Sequence, residues 1–384
     1  MEFGLSEEQK AIQETARRFA VEKLLPDYQK REKTGVIDRD LMREMGSLGL
    51  LGCDLPEEFG GLGTDFVTAG LVIEQIAYGD FNLSYLQLLA SLLGGIVADF
   101  ATPELKQEYV PKVIGGELIL SLGLTEPRGG SDAAHLICKA EDKGDHFIVN
   151  GEKTSISFSE QSEMMILMAR TNPDETGAHG VTGILVPLDL EGVSRTAFDD
   201  IGTKIVGRGQ VFFDNVKVPK KFQLGEAGSG FTQIMTGFDY SRALIGLQCL
   251  GAAQASVDES WQYVQEREAF GQPIAKFQGV SFPLAEAETY LSAMRTLCQR
   301  TLWLRDNGLP HTSEAAMCKW WVPKTCTEII HQCLLTAGHY GYTTDLPHQQ
   351  RLRDVMGLQI GDGTAQIQKM IIAREKIGRV ALQY

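Results

Sequence analysis

The apolar period of this chain changes twice along its length, from helical to alternating and back to helical, and that order limits the architectures open to it. Residues 6 to about 115 read as helical. Ser6, followed by Glu7, Glu8 and Gln9, caps a segment whose apolar Ile12, Ala16, Phe19 and Ala20 share one face. Asp38 to Leu48 repeats the pattern until Gly49 and Gly52 break it, and Pro56–Gly63 is a glycine-rich loop. Apolar helical stretches continue through Ala101, and Thr102-Pro103-Glu104 opens another helix. From about 118 to 226 the period shortens. Ile119 to Thr125 lead into a loop, and Lys143-Gly144-Asp145 turns the chain into a strand at His146–Val149. Met164–Ala169, Gly183–Pro187 and Gln210–Val218 read as further strands. The turns between them predict antiparallel connections in a small β-domain or barrel. From Gly230 the helical period returns, over Ala243–Arg267, Phe282–Asn307, Glu314–Gly338 and Thr364–Tyr384. The expectation is an α+β protein with an N-terminal helical domain over 1–117, a middle β-domain over 118–226 and a C-terminal helical bundle over 227–384. With no internal repeats or low-complexity linkers, the three should pack as one unit.

Charge and cysteine usage narrow the function classes. The chain has 384 residues and a net charge of −14, which argues against nucleic acid or an anionic membrane as the main partner. A polyanionic ligand would need a local cradle of amides and a few cations. The amino terminus is acidic and lacks an apolar signal core, and no run is long and apolar enough to span a bilayer. Leu83–Phe100 comes closest, but Gln87, Ser91 and Asp99 interrupt it, so a buried helix is expected. Seven cysteines without a Cys-x-x-Cys pair point to reduced thiols, a cytoplasmic location and no metal site.

Six stretches carry chemistry. Leu122–Asp132 combines glycines, which let backbone amides approach a ligand, with the hydroxyls of Thr125 and Ser131. Asn150–Ser157 begins with a turn dipeptide and ends in three hydroxyl residues out of four. Leu224–Phe231 is a glycine-rich hinge, followed by Asp239 and Arg242, three apart on one helical face. Arg267-Glu268-Ala269-Phe270-Gly271 precedes Phe277-Gln278, and Gly338–Tyr342 precedes Pro347, Arg351, Arg353 and Asp354. Last comes Gln359–Gln368, which contains Gly361-Asp362-Gly363-Thr364. Met with in this order over essentially the whole chain, the six resemble the signatures of the acyl-CoA dehydrogenases, flavoenzymes that oxidise a CoA thioester between Cα and Cβ.

That resemblance implies a role for each stretch. FAD would be the cofactor, with Leu124, Thr125 and Gly130 at the flavin and Ser131 where flavin and CoA approach each other. Ser157 would offer a hydroxyl near flavin N5, and Ser155 stands where family members commonly carry a Trp. Phe238, Asp239 and Arg242 would hold the CoA moiety, Arg242 as a planar fork of donors. Ser241 occupies the position from which some branches supply the base, so the base is not expected there. Arg267, Phe270 and Gln278 would reach across a subunit interface to a neighbouring FAD, which implies an oligomer, expected to be a homotetramer. Thr364 and Gln366 would also contact the cofactor, while Ser91, Gly361 and Gly363 would line the acyl site. Leu335 and His339 replace a Gln and a Gly of the family pattern, and His339 is expected to be packed or solvent-facing.

Asp362 stands where the family usually has a Glu that removes the α-proton. By resemblance its own amide and a flavin ribityl hydroxyl polarise the thioester carbonyl, and flavin N5 takes the β-hydride. A helix N-cap before Thr364 is the competing role for this Asp. The carboxylate is shorter than Glu by on the order of 1.5 Å, and Gly361 replaces a bulky aromatic. Both changes favour a branched or cyclic α-carbon, as in cyclohexanecarboxyl-CoA. A short- or branched-chain acyl-CoA dehydrogenase, an acyl-CoA oxidase and a non-catalytic binding member are the alternatives. The expected electron acceptor is an electron-transfer flavoprotein.

Overall fold

Ser6 opens the first helix as a reciprocal cap: its hydroxyl accepts the Gln9 N–H at 3.1 Å, and the Gln9 side chain accepts the Ser6 N–H. The structure, a computed structural model, describes residues 4–381, so the last three residues of the expected terminal helix lie outside it. Among the described residues seven α-helices make the N-terminal part: α1 (Glu7–Phe19), α2 (Tyr28–Glu32), α3 (Arg39–Ser47), α4 (Phe66–Gly79), α5 (Ser84–Leu89), α6 (Gly95–Phe100) and α7 (Pro103–Ile114). Asp38 and Thr102 cap α3 and α7 through their side chains, as their positions before apolar-periodic runs predict. Leu83–Phe100 is one helical path in which a π-turn at Ala90–Gly94 joins α5 to α6, and most of it is buried. Among the described residues no helix is long and apolar enough to cross a membrane.

The middle part is a mixed sheet of β1 (Leu120–Gly123), β2 (Lys139–Asp142), β3 (His146–Ser157), β4 (Met164–Arg170), β5 (Val181–Pro187), β6 (Val193–Ala197), β7 (Arg208–Pro219) and β8 (Gln223–Leu224). Its order is β6-β7-β3-β2-β4-β5-β8, with β1 added beside β4. The purely antiparallel expectation is corrected here: β1 and β2 both run parallel to β4. Turn residues dictate direction only between strands that follow one another, and β1 is separated from β4 by two other strands. Ile119–Thr125 therefore contains a strand rather than only a loop lead-in. β2 and β6 escape a periodicity reading because they are short and mostly exposed, whereas β4 and β5 are buried on both faces and read as continuous apolar runs.

The C-terminal part holds α8 (Gly230–Glu266), α9 (Gln278–Asp306), α10 (Thr312–Thr336), α11 (His348–Met356) and α12 (Ala365–Ile377). α8 is the central element, packed against α4, α9 and α10 and buried around its circumference through its middle turns. α12 stops at Gly378 (φ +68°), earlier than the period suggests.

The charged residues of the Pro347–Asp354 stretch join these parts. Arg351 forks onto Glu259 of α8 with two 2.7 Å bonds, and Arg353 reaches Glu32 and the Ile201 carbonyl, each at 2.6 Å. Asp354 is fully buried. It accepts from the Tyr28 hydroxyl at 2.6 Å, the Asn82 amide at 2.8 Å and the Thr203 N–H at 2.5 Å. Asp354→Ala would leave three buried donors without an acceptor, at roughly 1–3 kcal/mol each. Denaturant unfolding followed by separate probes in the sheet and the helices should show a loss of at least about 3 kcal/mol. A loss confined to one part, or none, would remove Asp354 as the joint.

Candidate active site

Asp362 lies in the turn between α11 and α12 with φ +54°, a left-handed backbone seldom adopted by a residue with a Cβ. Gly363 follows at φ +96°, and Thr364 then caps α12 by accepting the Ile367 N–H. The cap of α12 is therefore Thr364, which leaves Asp362 out of that role. Neither the carboxylate nor the N–H of Asp362 makes a hydrogen bond among the described residues. Burial pushes its carboxyl above the ordinary aspartate range, with Lys319 and Arg242 pulling the other way. Gly361 beside it is exposed, and a Cβ there would meet only the Gly357 carbonyl at 3.8 Å and Leu358 at 4.0 Å.

Two cations face this carboxylate. Arg242 of α8 is 5% exposed and pairs with Asp239 at 2.8 Å, and Thr312 holds the other Asp239 oxygen at 2.6 Å. Arg242 is buried and Asp239 half-buried, so the pair is not set on an outer helix face. Arg242 Nε and the Ser241 hydroxyl are buried without partners, and Phe238 lies on the same side of α8, one turn before Arg242. Lys319 of α10 is almost fully buried and donates to the carbonyls of Leu358 at 2.5 Å and Gly363 at 3.3 Å. Lys319 belongs to none of the six stretches; its signal in the sequence is a lone lysine in the apolar helical run Ala315–Val322. From α5, Tyr85 completes the group, its phenol pushed well up by burial and then by the Asp362 charge.

The Leu122–Asp132 loop is pinned to β3 by a pair that the motifs contain but do not reveal. Lys153 and Glu126, both buried, meet at 2.8 Å, and Glu126 also accepts the N–H groups of Ile137 and Cys138. Lys153 donates further to the Leu124 carbonyl, and the Thr154 N–H to the Thr125 carbonyl at 2.9 Å. Burial raises the Glu126 carboxyl, but Lys153 and the two amides outweigh it and hold the group below the usual range. Leu124 is buried, Thr125 partly so, and Gly130 and Ser131 are exposed. Ser155 is exposed at φ +60°, where the β3–β7 register skips, and Ser157 lies opposite Arg208. The hydroxyls of Thr125, Ser131, Ser155 and Ser157 make no hydrogen bond among the described residues. Free donors along one loop and strand edge fit the polar rim of a flavin and a phosphate.

The remaining sites separate. Arg267, Phe270 and Gln278 stand exposed around the small hairpin after α8, Phe270 at 94% and edge-on to Phe277. Gln366 is exposed on the first turn of α12. Leu335 is exposed, as is His339, which stacks on Tyr340. Ser91 is committed elsewhere: its hydroxyl donates to Asp54 at 2.6 Å, in a cavity of about 570 Å³ whose lining includes Tyr240 and Arg305 but not Asp362. All seven cysteines are free and buried, and no cluster of metal-ligating side chains occurs among the described residues.

Three family models match in chain order: the acyl-CoA dehydrogenase N-terminal domain over residues 6–117, the middle domain over 121–216 and the C-terminal domain over 228–377. A probable acyl-CoA dehydrogenase of Bacillus subtilis is 33% identical over 98% of this chain and 99% of its own. A subunit of the caffeyl-CoA reductase–Etf complex of Acetobacterium woodii is 32% identical over 96% of this chain and 98% of its own. The structure of butyryl-CoA dehydrogenase from Megasphaera elsdenii superposes with a TM-score of 0.94 at 29% identity, covering 98% of this chain and all of that one.

Removing one partner of the buried Lys153–Glu126 pair should be costly whatever ligand binds. Lys153→Met is expected to lose about 3 kcal/mol of stability. Because the folded Glu126 titrates below its unfolded value, wild-type stability should fall as pH drops below the ordinary glutamate range, and Glu126→Gln should flatten that fall. Chemical denaturation across acidic pH checks both, and an unchanged Lys153→Met protein would refute the pinning role.

Proposed function

The chain belongs to the acyl-CoA dehydrogenase family, and from that premise we propose that it desaturates a cyclic acyl-CoA, such as cyclohexanecarboxyl-CoA, with Asp362 as the base. As a member of this family it is an FAD-dependent oxidoreductase that dehydrogenates acyl-CoA thioesters. The observation that carries the proposal is Asp362 itself: a carboxylate without hydrogen bonds, raised in pKa by burial, beside an unpaired backbone N–H. The N–H can donate to the thioester carbonyl while a carboxylate oxygen takes the α-proton, so one residue acidifies the C–H and removes its proton. Bound FAD supplies the acceptor for the β-hydride, and loss of the two hydrogens leaves the Cα–Cβ double bond. Arg242, with Nε unpaired and its position set by Asp239 and Thr312, is suited to the CoA moiety.

Support for a cyclic substrate comes from the short arm of Asp362 and the open space at Gly361. A ring presents a branched Cα that reaches toward a retracted base and fills the volume an aromatic side chain would take. Exposed Phe270, Leu335, Tyr342 and Ile360 on the C-terminal part favour an oligomer, and we propose a homotetramer in which Arg267, Phe270 and Gln278 meet a neighbour's FAD. The relative named as a subunit of a reductase–Etf complex favours an electron-transfer flavoprotein as the acceptor. Buried, reduced thiols fit a cytoplasmic setting.

Asp362→Asn should bind acyl-CoA nearly as well as wild type yet slow anaerobic flavin bleaching by several orders of magnitude. A fall of less than about tenfold, roughly 1.4 kcal/mol of barrier, would place the base elsewhere.

The substrate proposal is tested by refilling the site with Gly361→Tyr and Asp362→Glu together, since adjacent changes couple. Wild type should bleach faster with cyclohexanecarboxyl-CoA than with butyryl-CoA, and the double variant should reverse the order. A wild type that prefers butyryl-CoA would favour the short-chain alternative and leave the dehydrogenase assignment standing.

A further inference from the structure

We propose that Lys319 is a positioning residue for proton abstraction: its buried ammonium clamps the two ends of the Leu358–Gly363 turn and so fixes Asp362, unbonded, beside a positive charge. The inference rests on the assignment of the α-proton to Asp362.

Lys319 sits among buried Ala315, Ala316, Cys318, Val322 and Pro323, where an alkyl side chain would pack without penalty. An ammonium in such a place is tolerated only when its charge and donors are used. Two of its three donors reach the carbonyls of Leu358 and Gly363, five residues apart and on either side of Asp362. The Gln368 side-chain amide adds contacts of 3.3 Å to the carbonyls of both Asp362 and Gly363, so the turn is held from α10 and from α12. A non-glycine residue in the left-handed region is strained and persists only when its surroundings over-determine it. The clamp over-determines it here.

The electrostatic surroundings point the same way. The charged or titratable groups that face Asp362 are Lys319 from α10, Arg242 from α8 and Tyr85 from α5, with Asp239 tied to Arg242 and Cys249 close to Lys319. Of these, only Lys319 bonds the backbone of the turn. Burial pulls Lys319 down to about 8, with Asp362 opposing, so it stays largely charged at neutral pH. Its charge restrains the rise that burial imposes on Asp362.

The test uses FAD-loaded Lys319→Gln and Lys319→Arg enzymes, with Asp362→Asn as reference. The rate of anaerobic flavin bleaching by a saturating acyl-CoA is followed against pH. Lys319→Gln keeps donors without charge and should move the acid limb of the profile upward by about one pH unit. Lys319→Arg should leave the limb where wild type has it, even if the rate falls. A limb unmoved in Lys319→Gln would reduce Lys319 to a packing residue and overturn the proposal. Should the Gln enzyme fail to hold FAD, Lys319→Met fills the same volume and carries the same test. Failure of the underlying base assignment looks different: Asp362→Asn would then still bleach rapidly, whatever Lys319 does.

Discussion

The Asp354 carboxylate accepts hydrogen bonds from Tyr28 of α2, from Asn82 in the turn between α4 and α5, and from the Thr203 amide in the loop between β6 and β7, while its own backbone lies on α11. That one acceptor fixes where three parts of the chain meet. Arg351, three residues earlier, locks α11 to α8 through Glu259, and α8 in turn carries Arg242 and Asp239. A few residues later comes the turn with Asp362. The proposed base, Asp362, is thus linked through α11 to Arg242, the residue proposed for the CoA moiety, and to the sheet. Burying a carboxylate so completely carries a cost, since burial pushes Asp354 up to about 6. The three donors offset that cost and make the joint directional.

The catalytic proposal depends on a contrast between two aspartates eight residues apart. Asp354 is saturated with donors and serves as an anchor. Asp362 is half-buried and without a donor, which leaves its carboxylate free for the proposed proton transfer. The same physics, removal of a carboxyl from water, gives a joint in one case and the proposed base in the other, and the difference lies in what each carboxylate is bonded to. Lys319 and Arg242 oppose the rise that burial imposes on Asp362.

Much of the fold was legible because its signals are local. Ser6, Asp38 and Thr102 each announce a helix within four residues, and Gly144 turns one strand into the next at φ +95°. What was not legible depends on residues distant in sequence. The parallel pairing of β1 with β4 leaves no turn signature, and exposed β6 has too little apolar sequence to show a period. Glu126 and Lys153 lie in two recognisable motifs, but only the folded sheet brings them together. Lys319 contacts carbonyls about forty residues away, so its helix shows only that a charge sits among apolar neighbours. Ser91 lies on the helical stretch that also carries Tyr85, yet the structure commits its hydroxyl to Asp54.

The central claim is that Asp362 takes the α-proton as a discrete transfer to a carboxylate. It is tested most directly by washing out an isotopic label. An α-deuterated acyl-CoA whose β-position cannot lose hydride is incubated with the FAD-loaded enzyme in ordinary water, and its mass is followed. The account predicts loss of the α-deuterium to solvent in wild type and its retention in Asp362→Asn. Retention in wild type, or washout that survives in Asp362→Asn, would contradict it.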